Sequence, residues 1–259
     1  MTPTGSLDDD AALAASLVRE AGALARRMRD EGLEQVRKTS VSDIVTAADH
    51  AAEELVVRRL REARPDDGIV GEEGTEHASA SGRTWVIDPV DGTYNFFHGL
   101  PWWCSALALR DADDVLVGAV CHPGDGTTWV GGPALPTTRD GVRVEAVADR
   151  PLAAVSAATY LHPTWVGHPD VGAAWTRVAR LPATVRMLGS GSMDLSAVAD
   201  GRLGVWFQHT VPVWDWLPGR ALVLGAGGAA EQVEAGGVTW SVAGSPTAVR
   251  ETVAALADG

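Results

Sequence analysis

A layered protein of mixed helices and strands, in two fused halves, is the fold class that three features of this sequence predict. Residues 8–31 and 46–62 carry helical periodicity, and short apolar runs between 69 and 130 are punctuated by Gly, Pro and Asp. Beyond Pro151, strand-like and helix-like segments alternate. The 259 residues are 46% hydrophobic and 21% charged, a globular balance, and no Ser- or Pro-rich linker divides them. The reading is a single domain over 1–259, with an α+β half at about 1–150 and an α/β half at about 151–259.

Each element has its own signal. In 8–31, Leu13, Leu17, Ala21, Leu24 and Met28 recur at helical steps, acids open the segment, arginines close it and Gly32 stops it. The second helix, 46–62, takes Thr46 as N-cap, with Asp49 where a capping carboxylate is often found. Strands are expected at Ile69-Val70, Trp85–Ile87, Ala106–Leu109, Val115–Cys121 and Thr127–Val130. In the second half, strands at Val155–Thr159, Val185–Met187, Gly204–Phe207 and Val238–Val242 alternate with helices at Val171–Ala179, Ser192–Ala199, Leu217–Leu224 and Pro246–Ala257. Pro218 fits near a helix start, where a missing N–H costs little.

Charge removes several functions. Lys plus Arg total 21 against 34 Asp plus Glu, a net charge of −13, so there is no cationic excess to displace phosphate counterions from nucleic acid. No stretch reaches the roughly 20 apolar residues of a membrane span, and the polar, acidic start Met1–Asp10 is unlike a secretory signal. Cys104 and Cys121 make neither a disulfide framework nor a metal-ligand spacing. The expected setting is cytoplasmic, and a phosphorylated substrate would need neutralising by something other than side-chain cations.

The most informative segment is Trp85-Val86-Ile87-Asp88-Pro89-Val90-Asp91-Gly92-Thr93. An apolar strand delivers two carboxylates, three positions apart, to a sheet rim, where ligands of α/β folds collect. Hard oxygen ligands converging on one point suit Mg²⁺, and Gly92-Thr93 can open a helix whose free N–H groups meet a phosphate. Asp, Pro and Gly are also ordinary turn formers. Glu72 follows the apolar run Ile69-Val70, Asp215 lies before a predicted helix, and Asp49 sits on the second helix. Taken singly they read as a loop acid, a first-turn acid and a solvated acid; their joint occurrence is what points to a metal site.

With these residues in place, the sequence resembles the inositol monophosphatase family of magnesium-dependent, lithium-sensitive phosphatases. Asp88-Pro89-Val90-Asp91-Gly92-Thr93 is similar to its DPxDGT signature, Gly71-Glu72-Glu73 to its GEE element, and Leu188-Gly189-Ser190-Gly191-Ser192 to its Gly-Ser segment. Lys38 to Asp49 resembles the family's lysine loop and D-x-V-T-x-x-D stretch, and Trp214-Asp215 with Gly225-Ala226-Gly227-Gly228 its C-terminal signature. The resemblance implies a layered α-β-α-β-α sandwich, usually a homodimer, acting on a small phosphorylated metabolite with two or three Mg²⁺ ions. It assigns Glu72, Asp88 and the Val90 carbonyl to one metal, and Asp88, Asp91 and Asp215 to a second. Glu72 also serves a third ion through water. Thr93, bonded to Asp49, orients the attacking water with Glu72, and Gly92 and Thr93 hold the phosphate. Asp91, Gly189, Ser190, Gly191 and Gln208 are implied substrate contacts, and Lys38 a mobile loop over the site.

Four converging carboxylates would repel one another without cations, and divalent ions would let an anionic protein take an anionic ester. The pattern is broken at Gln208, where the family commonly has a glutamate touching ring hydroxyls; an amide still donates and accepts there, as a weaker acceptor. Tyr94 replaces a small residue after the DGT element, and Trp216-Leu217-Pro218-Gly219 replaces an Ala-rich helix start. Inositol monophosphate is the foremost expected substrate, with histidinol phosphate or another small metabolite as the alternative. A non-catalytic metal-binding regulator is the reading from a different class. The ten tryptophans read first as core packing, and His98 as packed near the site rather than a ligand.

Overall fold

A computed structural model describes residues 5–32, 35–37 and 44–258, the segments 35–37 and 44–46 by their backbone alone. In chain order the elements are α1 (Leu7–Glu31), β1 (Gln35–Arg37), β2 (Ile44–Thr46), α2 (Ala47–Ala63), β3 (Gly68–Gly71), β4 (Glu76–His77), β5 (Thr84–Asp91) and α3 (Thr93–Phe97). There follow β6 (Cys104–Arg110), β7 (Val115–Cys121), β8 (Thr128–Gly132), β9 (Leu135–Arg139) and β10 (Val142–Arg143). The second half holds β11 (Ser156–Thr159), α4 (Pro163–Val166), α5 (Val171–Ala179), β12 (Thr184–Arg186), α6 (Gly191–Ala199), β13 (Val205–His209), α7 (Val213–Gly225), β14 (Ala229–Ala235), β15 (Val238–Gly244) and α8 (Pro246–Ala257).

Two large sheets alternate with helical layers. The first has order β10-β9-β8-β7-β6-β5-β3-β4, antiparallel apart from the parallel pair β3 and β5. The second runs β12-β11-β13-β15-β14, with its first three strands parallel and the last two antiparallel. Helices α1 and α2 cover the outer face of the first sheet, α6 and α7 lie between the sheets, and α5 and α8 cover the far face of the second. The result is the α-β-α-β-α sandwich the resemblance implies. Among the described residues its three largest cores follow the layers: Leu17, Val56, Ile69 and Leu107 in the first, Trp129, Leu195, Trp206 and Trp216 in the middle, and Val171, Phe207, Trp240 and Leu256 in the last.

Local chemistry explains the element limits. Ser6 and Asp9 cap α1 reciprocally, each backbone N–H meeting the other's side chain at 3.2 Å, and Gly32 ends it at φ 103°. The buried face of α1 is Ala14, Leu17, Val18, Ala21 and Ala25, rotated slightly from the leucine stripe of the sequence, with Leu13 and Leu24 only partly covered. Small residues on that face let the helix lie close to the sheet. Asp10, one of the acids read as dipole partners, is fully buried instead, 2.8 Å from both Arg64 and Arg83. Arg83 reaches on to Asp67 at 3.1 Å, and Trp85 Nε1 donates to the same carboxylate at 2.9 Å.

Three expectations shift. Helix α7 begins at Val213 rather than Leu217, so Asp215 is in its first turn and Pro218 lies inside the helix. Strand β14 interrupts the alternation expected after residue 204, and the pairing of β9 with β8 extends the first sheet beyond the last strand foreseen there. Thr46 ends β2, and its side chain lies outside the described residues. The tryptophans are mainly core, as read: Trp85, Trp103, Trp129, Trp206 and Trp240 are at most 1% exposed. Among the described residues no helix is long and apolar enough to cross a membrane.

Candidate active site

Strand β5 builds the site through an irregularity. Its register against β6 shifts between Asp88 and Asp91, where Pro89 has no N–H to give the ladder and Ser105 Oγ donates to the Pro89 carbonyl at 2.6 Å. The bulge leaves both aspartates buried at the strand's end, 1% and 6% exposed. Parallel pairing brings β3 alongside, and the Glu72 N–H donates to the Ile87 carbonyl at 3.2 Å. That bond sets Glu72 beside the emerging Asp88. Asp215 arrives from the first turn of α7.

The four carboxylates sense one another. Burial, then the charges of Glu72, Asp91 and Asp215, push the Asp88 carboxyl well above the usual carboxylate range. Asp215 is pushed up to about 7, by burial first and then by the charge of Asp91, against a hydrogen bond from Asp88. Asp91 is raised by burial, and hydrogen bonds from Ser190, Gly191 and Ser192 oppose that rise. The Ser192 N–H at the start of α6 donates to Asp91 Oδ2 at 2.5 Å, a carboxylate seated at a helix N-terminus. Among the described residues no three such side chains already form a closed ligand set around one point.

The donor set nevertheless suits a hard cation. Every candidate ligand is an oxygen, and Asp88 Oδ1 is buried with no hydrogen-bond partner. Such an atom is costly to leave unsatisfied, and a cation would answer it.

Beside the carboxylates, Gly92 turns the chain from β5 into α3 at φ 90°. A side chain there would meet the Gly189 carbonyl, Ser190 Cβ and the Trp102 carbonyl, each at 3.1 Å, so the Gly-Ser segment packs directly on the turn. Thr93 Oγ1 lies 3.0 Å from the Val90 carbonyl and 3.4 Å from Asp49 Oδ1. Asp49 is thus not solvated: it is 1% exposed and faces inward.

Glu72, Asp91, Gly92, Thr93 and Asp215 line one cavity of about 740 Å³, with Gly189, Ser190, Gly191 and Gln208 on its wall. Asp88 lies outside that lining, buried. The structure therefore gathers the sequence-predicted residues apart from Lys38, which lies outside the described residues. His98 is exposed, its ring 4.3 Å from that of Tyr94. Both cysteines are buried and free, and burial raises the Cys104 thiol.

Sequence reasoning missed three supports. Asn95 Nδ2 donates to the Trp102 and Leu188 carbonyls, 2.7 Å each, tying α3 to the Gly-Ser segment. Asp194, 2% exposed, accepts from Trp102 Nε1 at 2.8 Å on the cavity wall. Glu53 accepts the Glu73 N–H at 2.9 Å and the Thr75 N–H at 3.2 Å, bracing the loop that carries Glu72. Its carboxylate occupies the space a side chain on Gly71 would need. The one-turn spacing of Glu53 from Asp49 on α2 was its only signal.

The match of this chain to known sequences places it among the phosphoric monoester hydrolases. Residues 6–257 match the model of the inositol monophosphatase family, and the chain belongs to that family, whose enzymes depend on metal ions. An inositol-1-monophosphatase of Mycobacterium leprae is 33% identical over 94% of this chain and 92% of its own. One from Rhizobium meliloti is 32% identical over 78% and 77%. The crystal structure of the extragenic suppressor protein SuhB from Bartonella henselae matches with a TM-score of 0.85 at 25% identity, covering 95% of this chain and 98% of that one.

Proposed function

We propose that this enzyme hydrolyses the phosphate monoester of a small polyol or sugar, foremost inositol monophosphate, in a Mg²⁺-dependent reaction with water as the attacking group. The observation that carries the reading is the bulged end of β5, which buries Asp88 and Asp91 beside Glu72 and Asp215, with Glu72, Asp91 and Asp215 lining one cavity and Asp88 buried behind it. Glu72, Asp88 and the Val90 carbonyl would hold one ion; Asp88, Asp91 and Asp215 a second; Glu72 would help hold a third through water. Bound divalent ions supply charge neutralisation and Lewis acidity at the phosphoryl and leaving oxygens.

The chain's own groups do the positioning, on which phosphoryl transfer chiefly depends. Gly92 and Thr93 offer backbone N–H groups to the phosphate. Thr93 Oγ1 has Val90 and Asp49 as acceptors for its proton, so its lone pairs are left to accept from the attacking water, with Glu72 fixing that water's other side. Gln208 and the Gly189–Gly191 segment lie where the alcohol would be held. The enzyme is read as a cytoplasmic homodimer with no nucleic-acid or membrane partner.

A phosphate-release screen of small monoesters with and without Mg²⁺ tests this, run beside Asp91→Asn. The wild type should turn over inositol 1-phosphate only with the ion, and the variant should lose on the order of a thousandfold or more while keeping its circular dichroism. Unchanged turnover by the variant would sink the metal assignment. Gln208 leaves one second reading open, histidinol phosphate as substrate; a hundredfold preference for that ester in the same screen would replace inositol phosphate.

A further inference from the structure

Eight large apolar side chains are exposed among the described residues, and three of them, Tyr94 (44%), Tyr160 (37%) and Met187 (48%), line the same cavity as Asp91 and Asp215. Exposed apolar residues scattered singly need no explanation, whereas a cluster rimmed by polar groups marks a binding surface. These three come from separate parts of the chain: α3, the segment just after β11, and the segment between β12 and α6. Only the tertiary fold gathers them. The cavity, about 740 Å³, falls in the range that encloses a drug-sized ligand. That is roomy for a six-carbon ring and its phosphate. Asp194, buried and held by Trp102 Nε1, adds a fixed polar group to the wall. Among the described lining residues none is Lys or Arg, so a second phosphate on the substrate would meet no described cationic side chain there.

We infer that the substrate is a monoester with a single phosphate whose alcohol carries a flat apolar group, seated on Tyr94, Tyr160 and Met187 while the phosphate lies at the carboxylate end. This rests on the phosphatase reading above and sets an alcohol with a flat apolar group ahead of inositol, which carries none. The reaction itself is unchanged. A water oxygen bonds to phosphorus, the bond from phosphorus to the alcohol oxygen breaks, one proton of that water ends on the departing alcohol, and the other stays with the phosphate.

The test is phosphate release by the full chain with Mg²⁺ from 2-phenylethyl phosphate and ethyl phosphate, with inositol 1-phosphate as control. The two alkyl leaving groups have similar intrinsic reactivity, so their ratio of kcat/KM reports the apolar subsite. The ratio should be about tenfold or more in favour of the phenylethyl ester. Tyr160→Ala and Met187→Ala should each bring it down to within about threefold. Both side chains are more than a third exposed, so neither substitution opens a core cavity. As a second readout, the Met187 methyl resonance, one of four methionines, should move upfield when 2-phenylethyl phosphonate is added.

A ratio near one with a stationary Met187 resonance overturns the subsite, while hydrolysis of inositol 1-phosphate keeps the phosphatase reading standing. Absence of release from all three esters overturns both. If the substitutions alter the sedimentation coefficient and leave the ratio alone, the apolar face is a contact between copies of this chain and the subsite is overturned.

Discussion

Glu53 performs no chemistry in the proposed reaction, yet the placement of Glu72 depends on it. Its two carboxylate oxygens accept the Glu73 and Thr75 N–H groups across a loop whose backbone bonds include Gly71 N–H to the Thr75 carbonyl at 2.8 Å and Glu72 N–H to the Ile87 carbonyl at 3.2 Å. Replacing it with alanine strands two partly buried donors, at about 1–3 kcal/mol each before water enters. We expect Glu53→Ala to lower kcat by about tenfold or more with a smaller change in KM, since a loosened Glu72 misplaces the water rather than the substrate. Glu53→Gln keeps one acceptor and should recover part of that loss. A purely structural brace would lower the melting temperature and leave kcat at saturation unchanged, which steady-state kinetics of both variants will distinguish.

The carboxylates themselves make stability depend on pH in a direction that can be worked out. Asp215 is raised from 3.8 to about 7 and Asp88 is raised well above 3.8 by burial and neighbouring charge. Between those limits the folded, metal-free protein binds more protons than the unfolded chain, so this contribution to stability falls as pH rises through the window. Divalent ions need the ionised carboxylates and bind the folded state, so their stabilisation grows over the same window. The melting temperature gained on adding Mg²⁺ should therefore be larger at about pH 8 than at about pH 5. Equal gains at the two pH values, measured by differential scanning fluorimetry, would separate the carboxylate cluster from the metal.

At the scale of elements, the turn from β5 to α3 is where backbone conformation and site meet. Gly92 holds φ 90° with three atoms 3.1 Å from where a Cβ would stand. A left-handed backbone costs an alanine about 1–2 kcal/mol, and the crowding would push the Gly-Ser segment away from Asp91. Gly92→Ala should lower phosphate release on the order of a hundredfold, a displacement effect, while costing only a few degrees of melting temperature. Activity and melting curves on one preparation check both halves of this statement.

The same turn shows what was legible in the sequence. Asp88, Asp91 and Gly92 could be read because a strand, a proline and a glycine follow one another within a few residues, and local rules cover them. The limits of β7, α5 and α8 were legible for the same reason, each being bounded by its own turn or cap residues. The start of α7 was not, because Pro218 argued locally for a later start while packing between two sheets extended the helix back to Val213. Asp10 reads from sequence as a dipole partner and Glu53 carries no reading, because their partners, Arg64, Arg83 and the Glu73–Thr75 loop, are distant in sequence. The apolar trio of Tyr94, Tyr160 and Met187 was invisible as a cluster for the same reason.

For the whole molecule, the middle helical layer decides whether the two halves can fold apart. Helix α7 belongs to the second half by sequence, yet it covers the inner face of the first sheet. Ala221 packs with Val86 and Ala108, Leu222 and Trp216 share a core with Val120 and Trp129, and Thr137 Oγ1 donates to the Leu222 carbonyl at 2.6 Å. The same helix faces the second sheet through Trp216, whose ring stacks 5.7 Å from that of Trp206 on β13. Without residues beyond about 150, the first sheet would expose a wall of apolar side chains that α6 and α7 cover. We therefore propose one cooperative unit in spite of its two sheets. Calorimetry should show a single transition whose van't Hoff and calorimetric enthalpies agree. Trp216→Ala, which opens a cavity in the shared core at about 3–5 kcal/mol, should lower that one transition as a whole. An isolated fragment of about residues 1–150 should fail to give a near-ultraviolet circular dichroism spectrum of packed tryptophans. Two resolved transitions, or a Trp216→Ala variant that melts in two steps with the first sheet's tryptophan signal unmoved, would show that the halves are separate domains and that α7 only rests on the first sheet.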